Sequence, residues 1–347
     1  MKKFFLVVFV FLIGGAILMA LPENNEPDET DNDTNAVTYS DQTTPQRESS
    51  SKVASGSFFQ WMGASSEELI GEFGEPVRIE KSGYGYEWWT FNQGENEYNQ
   101  FGIKDGTVVT GITFSTQDKD PPFNIGDPYA KLQKQFSFKK EFSLSSEGDY
   151  KLELNANDVK ARPLISLNDH WTAQLYFDTF TNQLIAVRVL RNDILLKLQP
   201  YKIVYRGQLP QSENLSNEEW DQIEDGMERQ VFSMTNFIRR EHNAGNLTLL
   251  PKASQVAFLH SQDMETRQYF SHVSPDGNGL KERLQNGQVN YVMAGENIAS
   301  QYVDAAAAIH GWLNSSGHRK TMLEKKYTHI GVGVYHRYYT QDYVTLP

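Results

Sequence analysis

The sequence predicts a two-domain α+β protein, and three observations carry that reading. Its 347 residues are about twice the ~150 of a typical domain. Residues 58–206 are rich in aromatic and β-branched residues set between turn signals, as strands are. Residues 227–347 instead repeat apolar residues at helical spacing around one short apolar run that reads as a buried strand.

The N-terminal element comes first. Lys2 and Lys3 precede 18 uncharged residues, Phe4 to Leu21, long enough to cross a ~30 Å hydrocarbon core at ~1.5 Å per residue. Cleavage after Ala20 would put Leu18 where a small residue is required, so residues 1–21 read as an uncleaved anchor, with a cleaved signal as the alternative. The lysines then stay inside and all that follows lies outside the cell membrane. Residues 22–57 hold 8 acidic and 2 basic residues among Asn, Thr, Ser, Gln and Pro, which predicts a disordered acidic linker.

Within residues 58–206 the chain repeats itself. GASSEELIGEFGEPVRI from Gly63 matches IGDPYAKLQKQFSFKKEF from Ile125, each a short amphipathic helix followed by strands. The first unit's strands include Tyr86–Phe91 and a hairpin turning at Asp105-Gly106; the second's include Trp171–Asp178 and Leu184–Leu190 about a turn at Thr181-Asn182. Two α-β-β-β units are expected to form one domain. Residues 207–226 read as a connector carrying Gly207 and Pro210. In residues 227–347, helices are expected over Met227–His242, Pro251–Gln268 and Asp304–Leu313, and a buried strand over Ile330–Tyr335.

Composition narrows the function. A net charge of −12 lacks the basic footprint that nucleic acid demands, and half of it resides in the linker. The absence of cysteine excludes disulfides, thiolate metal sites and cysteine nucleophiles. An extracytoplasmic chain of this kind is held together by packing.

Four segments carry the remaining chemistry: HSQDMETRQYFSHVSPDG (His260–Gly277), GENIA (Gly295–Ala299), WLNSSGHRKTML (Trp312–Leu323) and YTHIGVGVY (Tyr327–Tyr335). In order and spacing they resemble the CAP superfamily, the SCP-like or cysteine-rich secretory, antigen 5 and pathogenesis-related proteins, in its cysteine-free bacterial form. The resemblance runs from about Arg229 to the C-terminus and implies that the repeat region is the CAP-associated N-terminal domain. It also implies the fold: a CAP-type α-β-α sandwich preceded by a tandem-repeat α/β-β-β domain. On this resemblance His272 and His318 are cleft imidazoles and Glu296 a cleft carboxylate, together able to hold Zn²⁺ or another divalent cation. The family's second carboxylate, three residues after Trp312 in the eukaryotic pattern, is here Ser315, which leaves a three-ligand site. Asn236 and Arg239 match the family's N-x-x-R and are expected to support the fold.

Without the family, two imidazoles, one carboxylate and an open position are a plausible catalytic zinc set. They lie 24 and 22 residues apart, so only the fold can bring them together. The alternative is that both histidines fix loops while Glu296 caps backbone amides. Ser271, Ser315 and Ser316 suit turns and helix ends better than nucleophilic roles. His260 reads as a core or cleft-rim residue on an apolar helix face. His329 is a possible cleft residue, and Gly331-Val332-Gly333 lacks the third glycine of a dinucleotide loop. The expected function is a cell-envelope binding module that meets an envelope component or protein partner and no nucleic acid. A metal-dependent hydrolase of peptide or envelope material is the first alternative, and a lipid-binding module the second.

Overall fold

The computed structural model describes residues 58–91, 97–114, 122–145, 149–211 and 213–347. The expected anchor and acidic linker lie outside these residues, and no described helix is long and apolar enough to cross a membrane.

The first unit of the repeat runs α1 (Ser66–Phe73), β1 (Arg78–Lys81), β2 (Glu87–Phe91), β3 (Asn99–Lys104) and β4 (Thr107–Thr113). A capping box starts α1, with Glu68 N donating to Ser65 Oγ (3.2 Å) and Ser65 N to Glu68 Oε2 (2.8 Å). The second unit runs α2 (Tyr129–Phe136), β5 (Glu141–Ser145), β6 (Asp149–Glu153), α3 (Ala156–Ala161), β7 (Leu164–Ser166), β8 (Trp171–Asp178) and β9 (Gln183–Arg191), followed by α4 (Asn192–Leu198) and β10 (Lys202–Arg206). The strands form a seven-stranded sheet, β1-β2-β3-β4-β9-β8-β7, in which the two units meet at the antiparallel β4–β9 pair; β10-β6-β5 form a separate sheet.

The repetition extends to fine detail. The residue before each helix bridges to the start of its unit's last strand, Ser65 to Thr107 and Pro128 to Gln183. Both closing hairpins carry a register shift, at Gly102/Ile103 and at Tyr176/Phe177. Both turn through left-handed residues, Asp105 at φ 51° and Asn182 at φ 56°. The units differ from the simple α-β-β-β expectation: the first has four strands after its helix, and the second inserts β5, β6 and α3 before its last three.

The second domain opens with α5 (Asn217–Glu241), β11 (Thr248–Leu249), α6 (Pro251–Thr266) and α7 (Leu280–Asn286). It continues through β12 (Met293–Ser300), α8 (Ala305–Leu313), α9 (Ser316–Met322), β13 (His329–Tyr335) and β14 (Tyr338–Thr345). Helix α5 starts ten residues before Met227, because a Ser216/Glu219 capping box nucleates it and Ile223 extends its buried face. The sheet order is β11-β13-β14-β12. Helix α6 lies so close over β13 that a Cβ on Gly331 or Gly333 would meet its backbone. Close packing therefore accounts for the G-x-G pair.

One apolar core runs through both domains. All eight positions of β8 are buried, as befits a strand covered on both faces. One face holds α1 and α2, with Leu69, Leu132 and Phe177 among the buried residues. Toward the second domain, Phe237 of α5 packs against Tyr98 and Phe114 at ring separations of 6.4 and 5.7 Å. Polar contacts cross the same junction: Tyr84 donates to the Val303 carbonyl (2.8 Å), Arg319 to Asp178 (2.8 Å), and Gln230 to Glu80 (2.9 Å).

Candidate functional site

Alternation along β12 sends Glu296 to one face of the sheet and Asn297 to the other. Glu296 is buried, and its Oε1 lies 2.7 Å from His272 Nδ1 while Oε2 pairs with the Arg283 guanidinium. Burial alone would raise its pKa, but the hydrogen bond from His272 and the Arg283 charge outweigh that and bring it down to about 2. An ionised carboxylate only accepts, so His272 donates through Nδ1 and presents Nε2 on its far side.

The loop carrying His272 is tied down from its own carbonyls. Arg283 of α7 donates through Nη1 to the carbonyls of His272 (2.9 Å) and Asn278 (3.1 Å), so one guanidinium joins the loop to Glu296. Ser274-Pro275-Asp276-Gly277 forms the expected turn, with Gly277 N donating to the Ser274 carbonyl (2.8 Å) at a φ of 84°.

Two more groups face Glu296. His260 of α6 is buried with Nε2 at 3.9 Å from Glu296 Oε2, and neither ring nitrogen has a hydrogen-bond partner. Burial lowers its pKa to about 4, so the ring is neutral. Asp342 of β14 stands directly opposite Glu296 in the ladder and is fully buried. Desolvation, and next the Glu296 charge, push its carboxyl well above the usual range.

His318 of α9 is also buried, and its Nε2 has no hydrogen-bond partner. Asn297 holds its carbonyl through Nδ2 at 3.2 Å. Burial, and then the charge of nearby His272, lower its pKa to about 4. His318 also lines a cavity of about 350 Å³ at the domain junction. Asn157 and Lys160 of α3, with Arg162 just after it, form one wall; Ile298, Tyr302, Trp312 and Ser315 belong to the other.

Among the described residues no group of three or more His, Cys, Asp or Glu is arranged to hold an ion. Both oxygens of Glu296 are engaged, by His272 and by Arg283. Two imidazoles fit as donors to a divalent cation, and Glu296 fits as the carboxylate that orients one of them.

Comparison with known proteins decides the family. Residues 62–201 match the CAP-associated N-terminal model and residues 232–346 the cysteine-rich secretory protein family model. The chain belongs to the CAP family. It is 35% identical over 339 residues, 97% of each chain, to a Bacillus subtilis protein described as "Uncharacterized membrane protein YlbC". A solved extracellular protein containing an SCP domain from Bacillus anthracis is 40% identical, with a TM-score of 0.79 over 89% of this chain and 100% of that one. A cysteine-rich secretory protein from Staphylococcus aureus, 22% identical, shares the fold at a TM-score of 0.75, covering 84% and 94% of the two chains.

The CAP domain thus brings His272 and Glu296 into contact and sets His318 within the electrostatic reach of His272. His329 instead engages its neighbour Thr328 (Nδ1 to Oγ1, 2.8 Å). Asn236 exchanges hydrogen bonds with Leu247, and Arg239 donates to the carbonyls of Ala244, Gly245, Met322 and Glu324. Ser271 Oγ accepts from Val273 N (3.1 Å), and Ser315 precedes α9. Sequence reading missed Arg283 and Asp342 and did not join His260 to Glu296. An inward alternation shared by GENIA and TQDY was the one available signal for Asp342; nothing local marked Arg283.

Proposed function

We propose that the protein is an extracytoplasmic binding module of the cell envelope, in which the two domains form one recognition unit and the His/Glu cleft holds a divalent cation such as Zn²⁺. The observation that carries this reading is the His272–Glu296 dyad with neutral His318 close by, at the edge of a cavity lined by both domains. Neutral imidazoles are the form that binds metal, and His272 is oriented for it by Glu296. In this reading residues 1–21 anchor the chain in the membrane by a single pass and residues 22–57 tether it outside; release after cleavage is the alternative. The descriptions of the two Bacillus relatives, one membrane and one extracellular, agree with either form. The partner is an envelope component or protein, and the acidic net charge disfavours nucleic acid.

Titrating Zn²⁺ calorimetrically into the full-length chain in detergent tests the cation. One saturable site is expected, lost in both His272→Ala and His318→Ala with the circular dichroism spectrum unchanged. No saturation in the unsubstituted chain would remove the cation from the reading. N-terminal sequencing of the mature protein separates anchor from signal.

The hydrogen bond to Glu296 also favours a second reading, a metal-dependent hydrolase of peptide or envelope material, since a carboxylate-oriented imidazole is the arrangement of a general base. A bound ion would supply an activated water. Release of soluble fragments from purified cell wall, abolished by His272→Ala in a folded protein, would establish it; absence of turnover leaves the binding module.

A further inference from the structure

The junction cavity holds a set of polar groups that the fold leaves unused. Asp158 and Arg162 satisfy each other at 2.8 Å, and Asn155 caps α3. Among the described residues, Lys160 has no acidic partner and the side chains of Asn157 and Ser315 make no hydrogen bond, while His318 Nε2 is both buried and unpartnered. Apolar and aromatic lining comes from Ile298, Tyr302 and Trp312, on the wall facing Lys160 and Asn157. A volume of about 350 Å³ is at the small end of ligand sites, on the order of a dipeptide or a single sugar ring.

We propose that this cavity is a binding site for a small carboxylate-bearing, amide-bearing fragment, whose carboxylate pairs with Lys160 and whose amide or hydroxyl groups meet Asn157, Ser315 and His318. The inference rests on the binding-module reading and names the ligand class that the module takes. One ammonium is complementary to one carboxylate, and a buried imidazole without a partner is stabilised by any ligand that supplies one. The apolar wall covers the ligand's carbon face. Both domains contribute, since Lys160 and Asn157 come from the CAP-associated domain and Ser315 and His318 from the CAP domain, so neither domain alone makes the site. This chemistry has two envelope sources, the free carboxyl end of a short peptide and the acidic side group of an N-acylated amino sugar.

The test uses the full-length chain in detergent with EDTA present throughout, titrated with acetyl-alanyl-alanine, its C-terminal amide, and N-acetylmuramic acid. Saturable binding of one or both acids is expected, with the amide about tenfold weaker than its acid and Lys160→Glu weakening the acids about tenfold. Asn157→Ala, also at an exposed position, is expected to weaken them several-fold. Peptide binding alone assigns the peptide source, and sugar binding alone the saccharide. The proposal is overturned if neither acid saturates, if the amide binds as well as the acid, or if Lys160→Glu changes nothing. A chain that binds neither acid and still takes Zn²⁺ sinks this site and leaves the cation reading standing.

Discussion

Arg188 of β9 and Asp304, the residue preceding α8, form an ion pair of 2.7 Å across the domain junction, with side chains 1% and 6% exposed. The contact is charge against charge without hydrogen-bond alignment at Asp304 Oδ2, while Oδ1 caps α8 by accepting from Ala307 N (3.0 Å). The guanidinium also lies over Trp88 at 5.5 Å. Asp304→Asn keeps the cap and removes the charge, stranding a buried cation, and is expected to cost about 3–5 kcal/mol. Arg188→Met with Asp304→Asn should recover most of that loss. Urea denaturation followed by tryptophan fluorescence gives the coupling energy, and a single transition is expected because the core is continuous. Two transitions, with Asp304→Asn costing below about 1 kcal/mol, would mean that the domains are energetically separate.

Glu296 is the acceptor for both His272 and Arg283, so Glu296→Gln unties the loop from the sheet. A neutral amide leaves Arg283 poorly compensated, at an expected cost of about 3 kcal/mol or more. Amide hydrogen exchange should rise across residues 271–279 and stay unchanged in β13. Equal protection in that loop would show that the Ser274 turn holds it without the carboxylate.

The extent to which these features were legible follows from how local each signal is. The repeat could be read because a capping sequence, a left-handed turn and alternating strands are short-range codes, and Ser65 and Asn182 carry them within a few residues. His272, Glu296 and His318 came from motif resemblance, with nothing in the spacing to show that they meet. Arg283 was invisible because its role depends on reaching two carbonyls and a carboxylate from α7. The junction cavity was equally hidden, since Lys160 acquires its position only when two domains pack. The resemblance implied Glu296 as a cation ligand, and what it could not show is the Arg283 guanidinium paired with that carboxylate.

Gly333 offers a test of the sandwich itself. A methyl at this position would collide with the α6 backbone at Ala257 and Phe258, which no side-chain rotation relieves. Helix α6 would have to lift, and it carries His260 toward Glu296. Gly333→Ala is therefore expected to destabilise by about 2–3 kcal/mol through overpacking, read as a lowered urea midpoint. Gly71→Ala, where a Cβ meets nothing within 4 Å, serves as the control and should be neutral or slightly stabilising. Similar effects at both positions would show that α6 adapts.

Acid sensitivity follows from the buried imidazoles. His260, His310 and His318 each have pKa values lowered to about 4, in every case chiefly by burial. An unfolded imidazole titrates near ~6.5, so between pH 6.5 and 4 the unfolded chain binds protons that the folded chain refuses. The imidazole contribution is then fully present above about pH 6.5 and is lost as the pH drops toward 4, with a slope of up to ~1.4 kcal/mol per pH unit for each histidine. Glu296, ionised down to about 2, extends the loss below pH 4.5. Glu228 opposes it: burial raises its pKa to about 7, so its contribution is present at low pH and disappears as the pH rises from about 4.5 to 7. Burial lowers the His242 pKa as well and raises those of Glu224 and Asp342, which act in the same direction as Glu228, so the measured slope is the difference between the imidazole set and the carboxyl set. His310 is the residue to replace, because it sits at the junction with Nε2 3.0 Å from the Phe177 carbonyl and away from the dyad. In His310→Gln the urea midpoint should be lower at pH 7, and the pH dependence between 6.5 and 4 should lose the His310 share, up to ~1.4 kcal/mol per pH unit. An unchanged slope would show that His310 protonates freely in the folded protein, and that the junction admits water.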